Sequence, residues 1–113
     1  MKATFTKFFN FSACYATKSK VLGHNYRLGI TVSVPDEEGE QRFQKKIESA
    51  LIKKLESRDL GTDVDFLKGE TITDLNLLKI FWAILQDEVR PLSLYSLSLE
   101  KDKHGRTVLS GQL

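Results

Sequence analysis

A single cysteine, Cys14, in 113 residues rules out an intrachain disulfide and any cysteine-rich metal site, and the expected compartment is a reducing cytoplasm. Proline is nearly as scarce, with only Pro35 and Pro91, so no strand carries the residue that most often blunts a sheet edge. No apolar run approaches the ~18 residues of a membrane span, and no membrane partner is expected. The net charge is only +2 and no basic stripe is interleaved with aromatics, which excludes nucleic acid as a partner. Phe11-Ser12-Ala13-Cys14 has the outline of a lipoprotein cleavage site, but Lys7 and Asn10 interrupt the apolar stretch before it. Internal repeats, linkers and low-complexity tracts are absent.

What is present suits one globular domain over 1–113. The 41% apolar and 28% charged content is ordinary for such a domain. A chain of this length buries roughly two-thirds of its unfolded surface and needs no staple. Residues 3 to 13 alternate, with Ala3, Phe5, Phe9, Phe11 and Ala13 on one face and Thr4, Thr6, Asn10 and Ser12 on the other, Lys7 and Phe8 being exceptions. The cleanest strand pattern follows Leu22-Gly23-His24-Asn25-Tyr26, where Tyr26, Leu28, Ile30, Val32 and Val34 alternate with polar or small residues. A short polar loop over residues 17 to 20 makes the two strands an antiparallel pair.

Pro35-Asp36-Glu37-Glu38-Gly39 breaks the second strand, and from about Gln41 the period becomes helical. Phe43, Ile47, Leu51 and Leu55 form one stripe, with acidic residues leading and Lys53, Lys54 and Arg58 closing, the polarity a helix dipole favours. A second helix is predicted over 74 to 89 after the capping sequence Thr71-Ile72-Thr73-Asp74. Its stripe reads Leu75, Leu78, Trp82, Leu85 and Val89, with Leu77, Ile80, Phe81 and Ile84 around it. So much apolar surface predicts packing on two sides. After Pro91, Tyr95, Leu97 and Leu99 alternate in a third strand, Asp102-Lys103-His104-Gly105 makes a turn, and residues 107 to 111 return as a fourth. The order ββααββ predicts an α+β fold: a four-stranded antiparallel sheet with two helices on one face.

Gly23-His24-Asn25-Tyr26 running into a strand resembles the His-Gly-His-Asn-Tyr segment of the 6-pyruvoyl-tetrahydropterin synthase and 6-carboxytetrahydropterin synthase family. Three further blocks carry the resemblance. Phe11-Ser12-Ala13-Cys14-Tyr15 is similar to F-x-A-x-H, Leu55-Glu56-Ser57-Arg58-Asp59-Leu60 to L-D-H-x-N-L, and Thr73-Asp74-Leu75-Asn76 to T-x-E-N, with Trp82 at a position the family often fills with tryptophan. The resemblance spans nearly the whole chain and implies the tunnelling fold, whose subunits join sheets edge to edge as trimers or stacked pairs of trimers. It therefore implies a homo-oligomer.

The same resemblance locates the family's chemistry and shows how much of it is altered here. The three zinc-ligand positions fall on Tyr15, Leu22 and His24, leaving His24 as the surviving metal position and no cofactor expected. The Asp-His pair falls on Glu56-Ser57, and no cysteine occupies the loop that carries the family's nucleophile. The buried glutamate that grips the pterin ring corresponds to Leu75. The late-strand glutamate of V-x-V-x-E-T corresponds to Lys101, or to Glu100 after a one-residue shift. Glu56 and Glu100 are thus the candidate catalytic residues, and Tyr15, Leu75 and Lys101 the altered ligand-binding positions.

Three functions remain open on these residues. The first is a pterin-synthase-like protein without zinc or catalysis, acting by binding a pterin- or purine-like small molecule or by assembly. A second is a lyase-type, possibly metal-free enzyme with a rebuilt site using Glu56, Glu100, Lys101 or Tyr15. The third is an unrelated α+β interaction module.

Overall fold

The computed structural model describes residues 3–17 and 19–111. Two long strands, β1 (Thr4–Ala16) and β2 (Val21–Ser33), run antiparallel and outlast the alternation on which they were predicted. They are closed by a turn in which Thr17 N–H donates to the Lys20 carbonyl, with residue 18 of the predicted loop lying outside the described residues. Strands β3 (Leu94–Lys101) and β4 (Arg106–Ser110) complete one antiparallel sheet in the order β1-β2-β3-β4. Between Thr31 and Val32 the β2–β3 register shifts, so that Thr31 faces Ser96 while Val32 faces Leu94. Such a bulge adds local twist to the sheet.

Helix α1 (Glu37–Ile47) begins four residues earlier than the predicted start. Asp36 caps it by accepting the Gly39 N–H at 2.6 Å, and Glu37, Glu38 and Glu40 complement the dipole. Gly39 does not break the helix: a Cβ there would lie 2.8 Å from the capping carboxylate oxygen, so the glycine gives the cap its room. The helix widens into a π turn over Glu48–Ile52 and ends with Lys53–Leu55, before Arg58. The widening suits the apolar spacing. Residues four apart drift about 40° per step around an α-helix, and a wider turn takes up that drift. Phe43, Ile47, Leu51 and Leu55 all end in the core.

Helix α2 (Asp74–Glu88) matches its predicted span, with the Thr73 hydroxyl accepting from Asn76 N–H. Its buried stripe is Leu77, Leu78, Phe81 and Leu85 rather than one built on Leu75 and Trp82. Leu75 is 48% exposed, Ile80, Trp82 and Ile84 pack partly buried around the core, and Trp82 closes over Gly111. The apolar girdle is therefore largely covered within the chain. Both helices lie on one face of the sheet, against Phe9, Phe11, Ala13, Tyr26, Leu28, Ile30, Val32, Leu97 and Leu99.

The other sheet face is mostly polar, with Phe8, Val21 and Val108 its exposed large apolar residues. Phe8, an exception to the alternation of its strand, lies across Gly29, where a Cβ would meet the Phe8 ring edge at 3.0 Å and collide with Ser98 Oγ. Along β1, the edge at Ser12 and Cys14 is bonded to the segment after α1: Ser57 N–H to the Ser12 carbonyl, Cys14 N–H to Arg58 and Leu60 N–H to Cys14. Residues 4–10 of that edge have no such backbone partner among the described residues. No helix of the described residues is long and apolar enough to cross a membrane.

Candidate functional site

Strand periodicity sorts the predicted residues onto opposite faces at one end of the sheet. On the helix side, Tyr15 stands opposite Leu22 and Ala13 opposite His24, so the three positions matched to zinc ligands come together. The Tyr15 and His24 rings lie 5.7 Å apart, and Tyr26 meets His24 edge-on at 5.9 Å. Cys14, opposite Gly23, belongs to the other face, with no bulge to turn it inward. Lys101 pairs with Tyr26 on the helix side and ion-pairs with Asp74 at the start of α2, at 3.8 Å. Glu100 is one residue out of phase and faces away from the helices, opposite Arg27. The register thus assigns Lys101, not Glu100, to the histidine's side of the sheet.

Asp102, read from sequence only as part of a turn, is the residue that organises this corner. Its backbone and that of Lys103 are left-handed, with φ of 54° and 63°, which folds the turn back onto β2. The Asp102 N–H donates to the Asn25 carbonyl, one carboxylate oxygen accepts Asn25 N–H at 2.8 Å, and the other meets His24 Nδ1 at 2.5 Å. The Asn25 N–H, followed by the His24 hydrogen bond, holds the Asp102 carboxyl below the usual carboxylate range. With Nδ1–H directed to the carboxylate, a neutral ring keeps its lone pair on Nε2. That nitrogen is buried and has no hydrogen-bond partner among the described residues. Burial pushes the neighbouring Tyr26 phenol well up, with Tyr15, Asp74 and Asp102 adding to the effect. No sequence signal marked Asp102: its role needs the register that sets Lys101 opposite Tyr26, which alternation alone does not give.

A carboxylate on the far nitrogen is how a metal-ligating histidine is commonly oriented. The rest of the donor set does not fit zinc, which takes three protein ligands in catalytic sites. Leu22 has no donor atom and Tyr15 supplies only a phenol. Among the described residues no three His, Cys, Asp or Glu side chains gather to hold a metal.

On the outer face, Glu56 and Glu100 line one open cleft of about 810 Å³ with Asn10, Ser12, Asn25, Arg27 and Lys103. Glu56 has one oxygen committed to Ser12 N–H at 2.8 Å. Ser57, where the matched motif has histidine, takes a left-handed backbone with φ of 59° as the chain turns to pair with β1. Leu75 joins neither group and sits on the exposed first turn of α2. His104 follows the tight turn and is exposed.

No family model matches the sequence, and no curated protein does. Solved structures do match in fold. A 6-pyruvoyl tetrahydropterin synthase from Caenorhabditis elegans superposes with a TM-score of 0.79 at 18% identity, covering 97% of this chain and 96% of the other. An uncharacterized protein from Wolinella succinogenes gives 0.67 at 13% identity, covering 99% of each. The chain therefore has the pterin-synthase-like, tunnelling-type fold that its motifs resemble.

Proposed function

We propose that this is a pterin-synthase-like protein that has lost zinc and catalysis and acts in the cytoplasm by binding and self-assembly. The observation that carries the reading is the shared face of Tyr15, Leu22 and His24, which collects the three positions in one place and supplies a single imidazole. Supporting it, the Glu56 carboxylate is engaged in bonding the β1 backbone, and Leu75 provides no acceptor for a ring amide. The outer edge of β1 over residues 4–10, which has no backbone partner among the described residues, and the exposed Leu75 favour a homo-oligomer, as a trimer or a hexamer. A pterin- or purine-like heterocycle is the small molecule the resemblance suggests.

The decisive assay is turnover of dihydroneopterin triphosphate, with and without added zinc, on protein whose subunit number has been fixed by sedimentation. No turnover and an oligomer at micromolar concentration are expected. Turnover abolished by Glu56→Gln overturns the loss of catalysis, and a stable folded monomer overturns the assembly. One observation favours a second reading, a metal-free lyase: Glu56 and Glu100 share a cleft, and paired carboxylates can divide acid and base roles. Turnover of a pterin without metal would establish it.

A further inference from the structure

The outer-face cleft holds two charges that the chain leaves without an ion-pair partner among the described residues. Glu56 and Lys103 both line it, from the end of α1 and from the β3–β4 turn, yet neither is paired with any group of opposite charge. The Glu56 carboxylate and the backbone that carries Lys103 are each anchored. Glu56 is anchored by Ser12 N–H at 2.8 Å, and Lys103 sits in a turn fixed to β2 through the two Asp102–Asn25 bonds. Between them, Arg27 stacks on the Phe8 ring at 3.9 Å and reaches Glu100 at 3.8 Å, while Asn25 Oδ1 accepts from Ser12 Oγ. That leaves the Asn25 amide N–H₂ and the Asn10 amide as further polar groups lining the floor. Unpaired charges of opposite sign carried on separate elements around one cleft match a ligand that carries both signs.

We propose that this cleft is a binding site for a small zwitterion, an ω-amino acid type of molecule whose ammonium meets Glu56 and whose carboxylate meets Lys103 and Arg27. The site lies on the sheet face away from His24, so the proposal does not depend on zinc, and it shares Glu56 with the metal-free lyase reading above. Nothing in it requires a covalent step.

The test is a ligand-observed NMR titration of the intact protein with 6-aminohexanoate and its homologues from glycine to 8-aminooctanoate, with hexylamine and hexanoate as single-charge controls. One chain length should bind saturably and at least tenfold tighter than either control. Glu56→Gln should weaken it about tenfold, since the amide oxygen still accepts from Ser12 N–H while the charge is gone. Lys103→Asn should do the same, asparagine being tolerant of the left-handed backbone there. Equal binding of zwitterion and controls, no saturable binding by any homologue, or native affinity in both variants would overturn the proposal. Added zinc and chelator should leave the affinity unchanged, and recovery of the zwitterion unaltered after the titration separates binding from turnover in the same cleft.

Discussion

Placing histidine at the two altered positions, Tyr15→His with Leu22→His, should create a three-histidine zinc site on the shared face. The structure sets the terms. Positions 15 and 22 face each other across β1 and β2, and His24 lies diagonally from position 15, with its Nδ1 already held by Asp102 and its Nε2 without a partner among the described residues. Cross-strand neighbours have Cβ atoms about 4.5–5.5 Å apart, close enough for imidazoles to share an ion at about 2.0–2.1 Å from each nitrogen. Zinc at a hundred times its dissociation constant would add about 2.7 kcal/mol of stability. At an unfolding entropy of about 2.1 cal/mol/K per residue, 113 residues give about 0.24 kcal/mol per degree, so the midpoint should rise by about 11 °C. Asp102→Asn in that background should weaken zinc about 10–100-fold by loosening the orientation of His24. Differential scanning calorimetry with and without zinc reads both effects. A folded double variant whose midpoint ignores zinc would refute the shared-face geometry.

Gly29→Ala should destabilise the protein by about 1–3 kcal/mol through overpacking, because its Cβ would collide with Ser98 Oγ and press on Phe8. Ser98→Ala in the same chain should recover part of that loss, and denaturant unfolding in which Gly29→Ala matches the native chain would contradict the packing. The two shifted groups predict opposite limbs of a pH profile. Tyr26 is raised in the folded state, so its contribution is present below the ordinary tyrosine value of 10.0 and lost as pH rises above it; Tyr26→Phe should flatten that alkaline decline. Asp102 is lowered, so its contribution is present above the ordinary carboxyl value of 3.8 and lost as pH falls below it, an acid decline that Asp102→Asn should reduce. Thermal melts across pH 3 to about pH 11 check both signs.

The strands and both helices were legible because period-two and helical spacing report the face each residue presents. Phe9, Phe11, Leu28, Ile30, Leu97 and Leu99 are buried as their alternation required. Helix boundaries were less legible. The run Pro35 to Gly39 reads as ending the second strand, with the helical period from about Gln41, because the Asp36 cap that starts the helix at Glu37 acts through a carboxylate position that only the fold displays. The α2 stripe was displaced because nearly every turn offered an apolar residue, and the packing of the sheet and Trp82 decided which ones to bury. At the site, motif matching found Tyr15, Leu22 and His24, and the backbone register brought them together. It gave no hint that Glu56 and Glu100 would sit on the opposite face, since Glu56 arrives there by a chain reversal after α1. Asp102 escaped notice because its role depends on a left-handed turn formed without glycine.

Zinc content tests the account most directly. Protein purified without chelator and measured by elemental analysis should carry well under one zinc per chain, because one imidazole and one phenol on the shared face cannot hold the ion. Stoichiometric zinc that disappears in His24→Ala would contradict the account, and would show that a metal centre persists with ligands other than those matched here.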